Sequence, residues 1–565
     1  MAEGPLVFGI TWGTHDSSAA LFQGDRLSGF VEEERLSGQK HTGKFPSLAI
    51  ARLLREAGAS VEDVSSVSFA FHARGYATGL ACATAQACRS PFQRRGWARA
   101  ASYGAVHRHT HRRLRHLRER FPRAKVVDTP HHLCHSLYAQ AASGEERVTT
   151  LVVDSIGEWR TTSIIATEGL RQQPHLWLAD PHSLGYAYGA VTEHLGYRRG
   201  DGEGTVMALA ALGDRERFRP VMEQGIALTP DGFRLNPGLF AKRVFSSSWP
   251  RLTECFDRET APAREPGSPL RSVHADIAAA LQQRTEEVLL HLTRLAAART
   301  KATTLCLAGG VAMNCLGLGR ISESGLFDRV VVPPAPADGG TSIGAGLAVL
   351  GDEALRDPQL RRWDLGPEFS EREINEALAA RGLAAAKALN PVETVLEELL
   401  AGRIVGVCRG RGEAGPRALG HRSILASPLT PGITCRLSSR VKQREGFRPF
   451  APVMPREVVA DYFRAPDPSP YMSFALPARD RARKEVPAVV HSNGSARVQS
   501  LSREEDPYLY ELLQRFAAQT GVPVLINTSL NVKGAAMAGT PTAAIESFEA
   551  CELDGLLLGG RYLRR

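Results

Sequence analysis

His131 and His135 stand four residues apart in the run Pro130-His131-His132-Leu133-Cys134-His135. On a helix that spacing puts both imidazoles on one face, about one turn apart. A metal ion bridges such a pair, and imidazole ligates iron, zinc and related ions. Asp154 and Asp338 each follow a strand-like run and offer carboxylates to complete a site of two histidines and two aspartates. Capping of the turns that follow is their alternative role. Gly309-Gly310-Val311-Ala312-Met313-Asn314 places a glycine pair at a strand-to-helix turn, where backbone can approach a ligand and unpaired N–H groups favour anions. It is neither a P-loop nor a dinucleotide fingerprint. Asp338-Gly339-Gly340-Thr341-Ser342 repeats the device.

The C-terminal part is rich in arginine set in rigid turns. Gly415-Pro416-Arg417-Ala418-Leu419-Gly420 and Arg448-Pro449-Phe450-Ala451-Pro452 are the clearest, joined by Lys442, Arg444, Arg497 and Asn527-Thr528-Ser529. Guanidinium forks bind phosphates and carboxylates at two points, so several converging on a cleft suit a polyanion. Solvation at the surface is the alternative for each one alone.

These residues need a scaffold. Leu6–Ile10 and Ser18–Phe22 read as strands joined by a polar loop at Gly13-Thr14-His15-Asp16. The pattern returns with Val148–Val153, a polar stretch Asp154–Glu158, then Thr161–Ala166. Two such hairpins predict an internally duplicated α/β domain, with ligands at the carboxyl ends of strands. Ala275–Ala298 carries a helical apolar stripe. Residues 351–366 break into Asp, Pro and Arg and read as a linker, and Ser370 opens a fresh α/β segment. The expected domains are 1–355 and 368–565.

The 565-residue length exceeds one hydrophobic core. A hydrophobic fraction of 43% with 23% charged residues, no long apolar run and no basic leader predict a cytoplasmic protein without a membrane span. Nine scattered cysteines without a Cys-x-x-Cys pair exclude a disulfide framework and a zinc ribbon. The net charge of +9 suits nucleotides. The basic run between Arg94 and Arg123 has no Phe, Tyr or Trp in its densest part, His107–His116, and no base-reading motif, and it reads as a solvated helix rather than a nucleic-acid surface.

The chain resembles the NodU/CmcH family of O-carbamoyltransferases. Thr14-His15-Asp16-Ser17-Ser18, Glu33-Glu34-Arg35 with Lys40-His41, His131–His135, Pro181-His182-Ser183-Leu184-Gly185, Ala308–Asn314, Gly415–Gly420, Phe447–Pro452 and Ile526–Asn531 carry the likeness in order. The resemblance implies an N-terminal domain of the actin/heat-shock chaperone/sugar-kinase type and a C-terminal YrdC-like domain. It implies an ATP-dependent transferase: carbamoyl phosphate and ATP give carbamoyladenylate, whose carbamoyl group passes to a hydroxyl of a small natural product, as in antibiotic biosynthesis. By position, His131, His135, Asp154 and Asp338 are implied to hold a divalent metal, Fe²⁺ being favoured, with Mg²⁺ accompanying ATP. His15 is implied as the general base, with Lys40 beside substrate or phosphate. Glu158, Gly309, Gly310, Asn314, Arg417, Lys442, Arg448, Arg497, Asn527 and Ser529 are implied in nucleotide and carbamoyl phosphate binding. No nucleic-acid partner is expected, and a homodimer is left open.

Three departures stand out. Ser155 occupies a position that is glycine in the family, Thr205 one that is lysine, and Gly534-Ala535-Ala536 replaces Gly-Glu-Pro. Two other readings compete: carbamoylation or threonylcarbamoylation of a tRNA or protein thiol, and a non-catalytic nucleotide-binding module.

Overall fold

The computed structural model describes residues 4–245, 249–465 and 468–565; residues 1–3, part of the start on which the expectation about a leader was based, lie outside the described residues. Contacts divide the chain into two compact units. Unit 1 comprises Met1–Thr11, Ala20–Leu27 and Ala57–Arg361, and unit 2 comprises Trp12–Ala19, Ser28–Glu56 and Arg362–Arg565.

The first sheet is built from β1 (Leu6–Thr11), β2 (Ser18–Gln23), β3 (Arg26–Glu32), β4 (Val64–Phe69) and β5 (Lys125–Asp128), in the order β3-β2-β1-β4-β5. β4 runs parallel to both β1 and β5. The second sheet uses β6 (Arg147–Gly157), β7 (Arg160–Glu168) and β8 (Arg171–Ala179). A small antiparallel hairpin follows, β9 (Ile226–Thr229) and β10 (Gly232–Leu235). β11 (Thr304–Ala308) and β12 (Arg329–Val331) complete the second sheet in the order β12-β11-β6-β7-β8. β6, β7 and β8 pair antiparallel, while β11 is parallel to both β6 and β12. Each sheet thus lays three consecutive strands side by side and then extends in parallel beyond the first of them. This is the duplication read from the two hairpins. β1 and β11 are buried at every residue, as parallel strands covered on both faces must be.

Two local readings change. The polar stretch at Asp154–Gly157 lies within β6 rather than in a loop, because the strand continues through a register shift between Val153 and Gly157. Residues 351–366 form short turns, Asp352–Arg356 and Pro358–Arg361, with Ala354, Leu360, Trp363 and Leu365 buried. Apolar side chains among the charges give these turns something to pack. The basic run forms one helix, Arg94–Arg120, in which Arg99 is buried against Asp180. Among the described residues no helix is long and apolar enough to cross a membrane.

Unit 2 centres on an eight-stranded mixed sheet. Its order is Ala386–Lys387, Arg561–Arg564, Gly555–Leu558, Val405–Cys408, Arg422–Ala426, Leu525–Ser529, Ala451–Pro455 and Gln499–Leu501. Helices Pro391–Leu400 and Pro507–Thr520 supply Val395, Leu399, Leu509, Leu513 and Phe516 to its core. Ser370 caps the helix Glu371–Ala380 through a reciprocal bond pair with Glu373. The N-terminal segments of this unit are pinned in turn: Arg35 donates to the Gly415 carbonyl at 2.5 Å, and Arg52 to Glu373 at 2.7 Å.

In unit 1, the helix Thr341–Leu347 comes close enough to its neighbours that glycine is required. A Cβ on Gly9 of β1 would lie 1.8 Å from the Ser342 carbonyl, and one on Gly344 would lie 1.8 Å from the Cys134 carbonyl. Backbone cannot yield as a side-chain tip can, so Gly344→Ala should separate this helix from the helix that carries the histidines. We expect a loss of about 1–3 kcal/mol, from overpacking, in denaturant unfolding with the slope unchanged.

Candidate functional site

In unit 1 four side chains from three elements meet. His131 opens the helix His131–Ser143 and His135 lies one turn on; Asp154 stands near the end of β6; Asp338 begins the short turn Asp338–Gly340. One ligand atom from each lies within 4.8 Å of all the others, and all four residues are buried. His131 Nε2 is 3.5 Å from Asp154 Oδ2, 3.4 Å from Asp338 Oδ1 and 3.2 Å from His135 Nε2. The Nδ1 atom of His131 bonds the Ala70 carbonyl at 3.1 Å, which turns Nε2 toward the cluster; His135 is held by the Pro336 carbonyl. Burial opposes charge on His131, but Asp338 and Asp154 outweigh it and hold its pKa well above the imidazole range. Burial and then the His131 charge push His135 down to about 4. Two imidazole nitrogens and two carboxylates, buried and aimed at one another, fit a divalent transition ion.

The neighbouring residues hold this set in place. Gly310 N–H donates to Asp154 Oδ1 at 3.2 Å. Gly309 has φ +91°, and a Cβ there would meet the Val153 carbonyl at 2.3 Å. Glu158 accepts the backbone N–H of His131 at 3.0 Å and of His72 at 2.7 Å, so it anchors the first turn of the histidine helix. Asn314 caps the helix Cys315–Glu323 through Gly317 and exchanges two hydrogen bonds with Gln282. Of the departures, Thr205 is buried and Ser155 accepts a hydrogen bond from Arg243 Nη1 at 3.1 Å.

In unit 2 a group of cations converges. Lys442 is buried, and its Nζ donates to the Ser529 carbonyl at 2.8 Å and to Asn531 Oδ1 at 2.6 Å. Those acceptors suit an ammonium, but burial, Arg444, Arg448 and Lys40 outweigh them and pull Lys442 down to about 7. Arg444 is lowered by burial and by Arg448 and Arg497, which Glu445 opposes. Cations that lower one another's pKa are poised for a polyanion. Asn527 reaches the Ala418 carbonyl and Gln499, tying its strand to the loop beside the half-buried Arg417. Ala535, the third departure, acts through backbone: its carbonyl accepts from Asn531 at 2.8 Å, the residue that faces Lys442.

His15 is half exposed and its Nδ1 lies 2.9 Å from Asp16 Oδ2, while His41 Nδ1 lies 2.7 Å from Asp16 Oδ1. Burial opposes the Asp16 carboxylate, yet the two histidines hold its pKa far below the usual range.

Several participants carried no signal strong enough to assign from sequence. Glu413 is buried and accepts the N–H groups of Leu419, His421 and Arg422, each at 2.9 Å, so it shapes the loop that bears Arg417. His491 is pushed down to about 3 by burial and then Arg497. Arg444 was visible only as one more arginine. A lone glutamate or histidine has no spacing partner to mark it.

Two outcomes follow. His131→Ala should lose bound metal in elemental analysis while thermal unfolding stays cooperative, since three donors hold an ion more weakly; full metal retention would remove His131 from the centre. Sulfate keeps its charge between pH 6 and 8.5, whereas Lys442, with its pKa near 7, loses its own. Sulfate should therefore bind more weakly as pH rises through 7 in calorimetric titration, and Lys442→Met should abolish that step.

Comparison with known proteins places this geometry in a family. Residues 7–347 match the carbamoyltransferase N-terminus and residues 396–565 the carbamoyltransferase C-terminus. An uncharacterized protein, sll1178, of Synechocystis is 33% identical over 98% of this chain and 95% of its own length. Nodulation protein NolNO of Sinorhizobium fredii is 31% identical over 98% of this chain and 79% of its own. Among solved structures, HypF of T. kodakarensis aligns at 15% identity and a TM-score of 0.32 over 62% of this chain and 49% of its own, a likeness that carries no weight here. The two family matches together cover nearly the whole chain, and the protein belongs to the carbamoyltransferase family.

Proposed function

We propose that the protein is an ATP-dependent O-carbamoyltransferase acting on a hydroxyl of a small natural product. The observation that carries this reading is the cation cluster of Lys442, Arg444, Arg448 and Arg497, with Glu445 acting against it at Arg444. Such a cluster suits the combined charge of ATP and carbamoyl phosphate. Water releases phosphate and carbamate from carbamoyl phosphate. A carbamate oxygen then attacks the α-phosphorus of ATP, pyrophosphate leaves, and carbamoyladenylate forms. Arg448 and Arg497 hold the phosphates in this reading, and Lys442 offsets their charge with its Nζ fixed by Ser529 and Asn531. Adenylation makes AMP the leaving group, and burial of these side chains limits hydrolysis.

In the second step the acceptor oxygen attacks the carbamoyl carbon, its proton leaves, and the bond to AMP breaks. His15 takes the proton at Nε2, with Nδ1 held by Asp16, which His41 steadies from the other side. A divalent ion held by His131, His135, Asp154 and Asp338, Fe²⁺ in this reading, would supply Lewis-acid neutralisation of the departing phosphate charge. Glu158, Gly309 and Gly310 keep the side chains of that centre in register.

Arg448→Ala should abolish carbamoyl phosphate-dependent pyrophosphate release yet still transfer from supplied carbamoyladenylate; equal loss of both steps makes the arginine structural. His15→Asn keeps a hydrogen-bonding side chain without a base. It should form carbamoyladenylate normally and lose roughly 10²- to 10⁴-fold in transfer rate, read by mass spectrometry of both products. Near-normal transfer by the folded variant eliminates His15 as the base.

A further inference from the structure

A second group of cations lies in unit 1, apart from every residue assigned above. Arg95, Arg199, Arg243 and Arg251 all act electrostatically on the Tyr186 phenol. Carboxylates accompany them, with Asp201 beside Glu203 and Glu158 and Asp338 acting with Arg243 on the Tyr76 phenol. Glu193 pairs with Arg251 at 2.9 Å, and Glu203 lies beside Arg199 with its Oε1 accepting the Gly200 N–H at 2.8 Å. Arg95 donates to the carbonyls of Lys242 and Pro250 rather than to an acid.

The group is not a solvated surface patch. Arg243 is buried, and its Nη1 donates to the Ser155 carbonyl and to Ser155 Oγ, both at 3.1 Å. Ser155 directly follows Asp154, one of the four clustered donors. Arg199 Nη1 is buried and has no hydrogen-bond partner among the described residues. Its stem passes over Gly189, where a Cβ would meet Arg199 Cγ and Cδ at 2.8 Å and Glu203 Oε1 at 3.4 Å. A buried guanidinium nitrogen without an acceptor is costly, and the cost is recovered only if a ligand supplies the acceptor. Arg199 is also lowered by burial, then by Arg243 and Arg251, with Glu193 and Glu203 opposing. An oxyanion relieves all three effects at once.

We propose that Arg199, Arg243 and Arg251 form an oxyanion subsite next to the metal centre, and that the acceptor alcohol carries the phosphate, sulfate or carboxylate that fills it. The inference rests on the carbamoyl-transfer reading and narrows its acceptor to an anionic class. The phosphates of the first half-reaction already have their own cations at Lys442 and Arg448, so a separate cation set beside the transfer centre serves a different anion. A cationic group of the acceptor placed against these three guanidinium groups would be repelled. Arg199 lies beside Glu203.

Crystals of the full chain grown in sodium selenate test the subsite, because selenium scatters anomalously. We expect a peak between Arg199 and Arg243. A filled Lys442–Arg448 cluster with none between these arginines overturns the proposal. Co-crystals with AMP separate the two sources of phosphate: an AMP phosphate seated on Arg199 and Arg243 makes the nucleotide the ligand and sinks the acceptor claim. Calorimetric titration of glucose 6-phosphate against glucose, and galacturonate against galactose, provides the third arm. The anionic member of at least one pair should bind more tightly, and Arg243→Gln should weaken it about 10- to 100-fold. Arg243→Lys should retain part of that affinity, which a purely structural arginine would not show. Equal binding of charged and neutral members in both pairs overturns the proposal. Pyrophosphate release by the unaltered protein is scored separately, so failure of the carbamoyl-transfer reading is distinguishable from failure of the subsite.

Discussion

Burying two carboxylates and two imidazoles in one place is the constraint on which unit 1 depends. Each charge loses hydration, and isolated it would cost several kcal/mol. The set is tolerable because its members compensate one another: His131 lies 3.5 Å or less from both aspartates, and Asp154 also accepts the Gly310 N–H. Compensation of that kind works only over short distances, so the backbone beneath must be placed to within a fraction of an ångström. That requirement explains the glycines. Gly309 in a left-handed conformation lets its turn lie against β6, and Gly344 lets the helix after Asp338 touch the backbone of the histidine helix. Glu158 completes the arrangement by fixing the helix at its first N–H.

Unit 2 faces the opposite problem. There Lys442, Arg444, Arg448 and Arg497 bring like charges together, with Glu445 acting against them at Arg444. Lys442 is held by oxygens rather than carboxylates, Arg444 donates to the Pro449 carbonyl, and burial lowers the pKa of both. Neutral acceptors orient a cation without cancelling its field, so the field is preserved for a ligand. The buried carboxylate nearby in sequence, Glu413, is occupied by three backbone N–H groups and shapes a loop. The arginines around Tyr186 in unit 1 follow the same rule in part, since Arg95 and Arg243 also rest on carbonyls.

Departures from the family pattern are absorbed by backbone or by a neighbour. Ala535 presents its carbonyl to Asn531, a contact indifferent to the side chain at that position. Ser155 adds a hydroxyl where glycine is expected, and Arg243 donates to it. Both substitutions therefore sit against polar partners that keep the adjoining functional side chains in position.

Periodicity and local chemistry were enough to read some of this from sequence. The i,i+4 pair His131 and His135, the two strand–polar–strand runs, the long helix near Ala275–Ala298 and the capped start at Ser370 all depend on residues close in the chain, and each appears in the structure. The four-donor set was legible in part: the histidines are marked by their spacing, whereas Asp154 and Asp338, distant in sequence at the ends of strand-like runs, read equally as ligands or as turn caps until the family likeness favoured ligation. Tertiary structure alone decided the rest. It kept Asp154–Gly157 inside β6 and packed residues 351–366 into buried turns, since a bulge and a covering neighbour leave no local mark. It also gathered Trp12–Ala19 and Ser28–Glu56 with Arg362–Arg565, turned Glu158 into an anchor, and brought Arg199 beside Arg243. Those outcomes depend on which surfaces meet, and the meeting of surfaces is set by packing across hundreds of residues rather than by any short run of them.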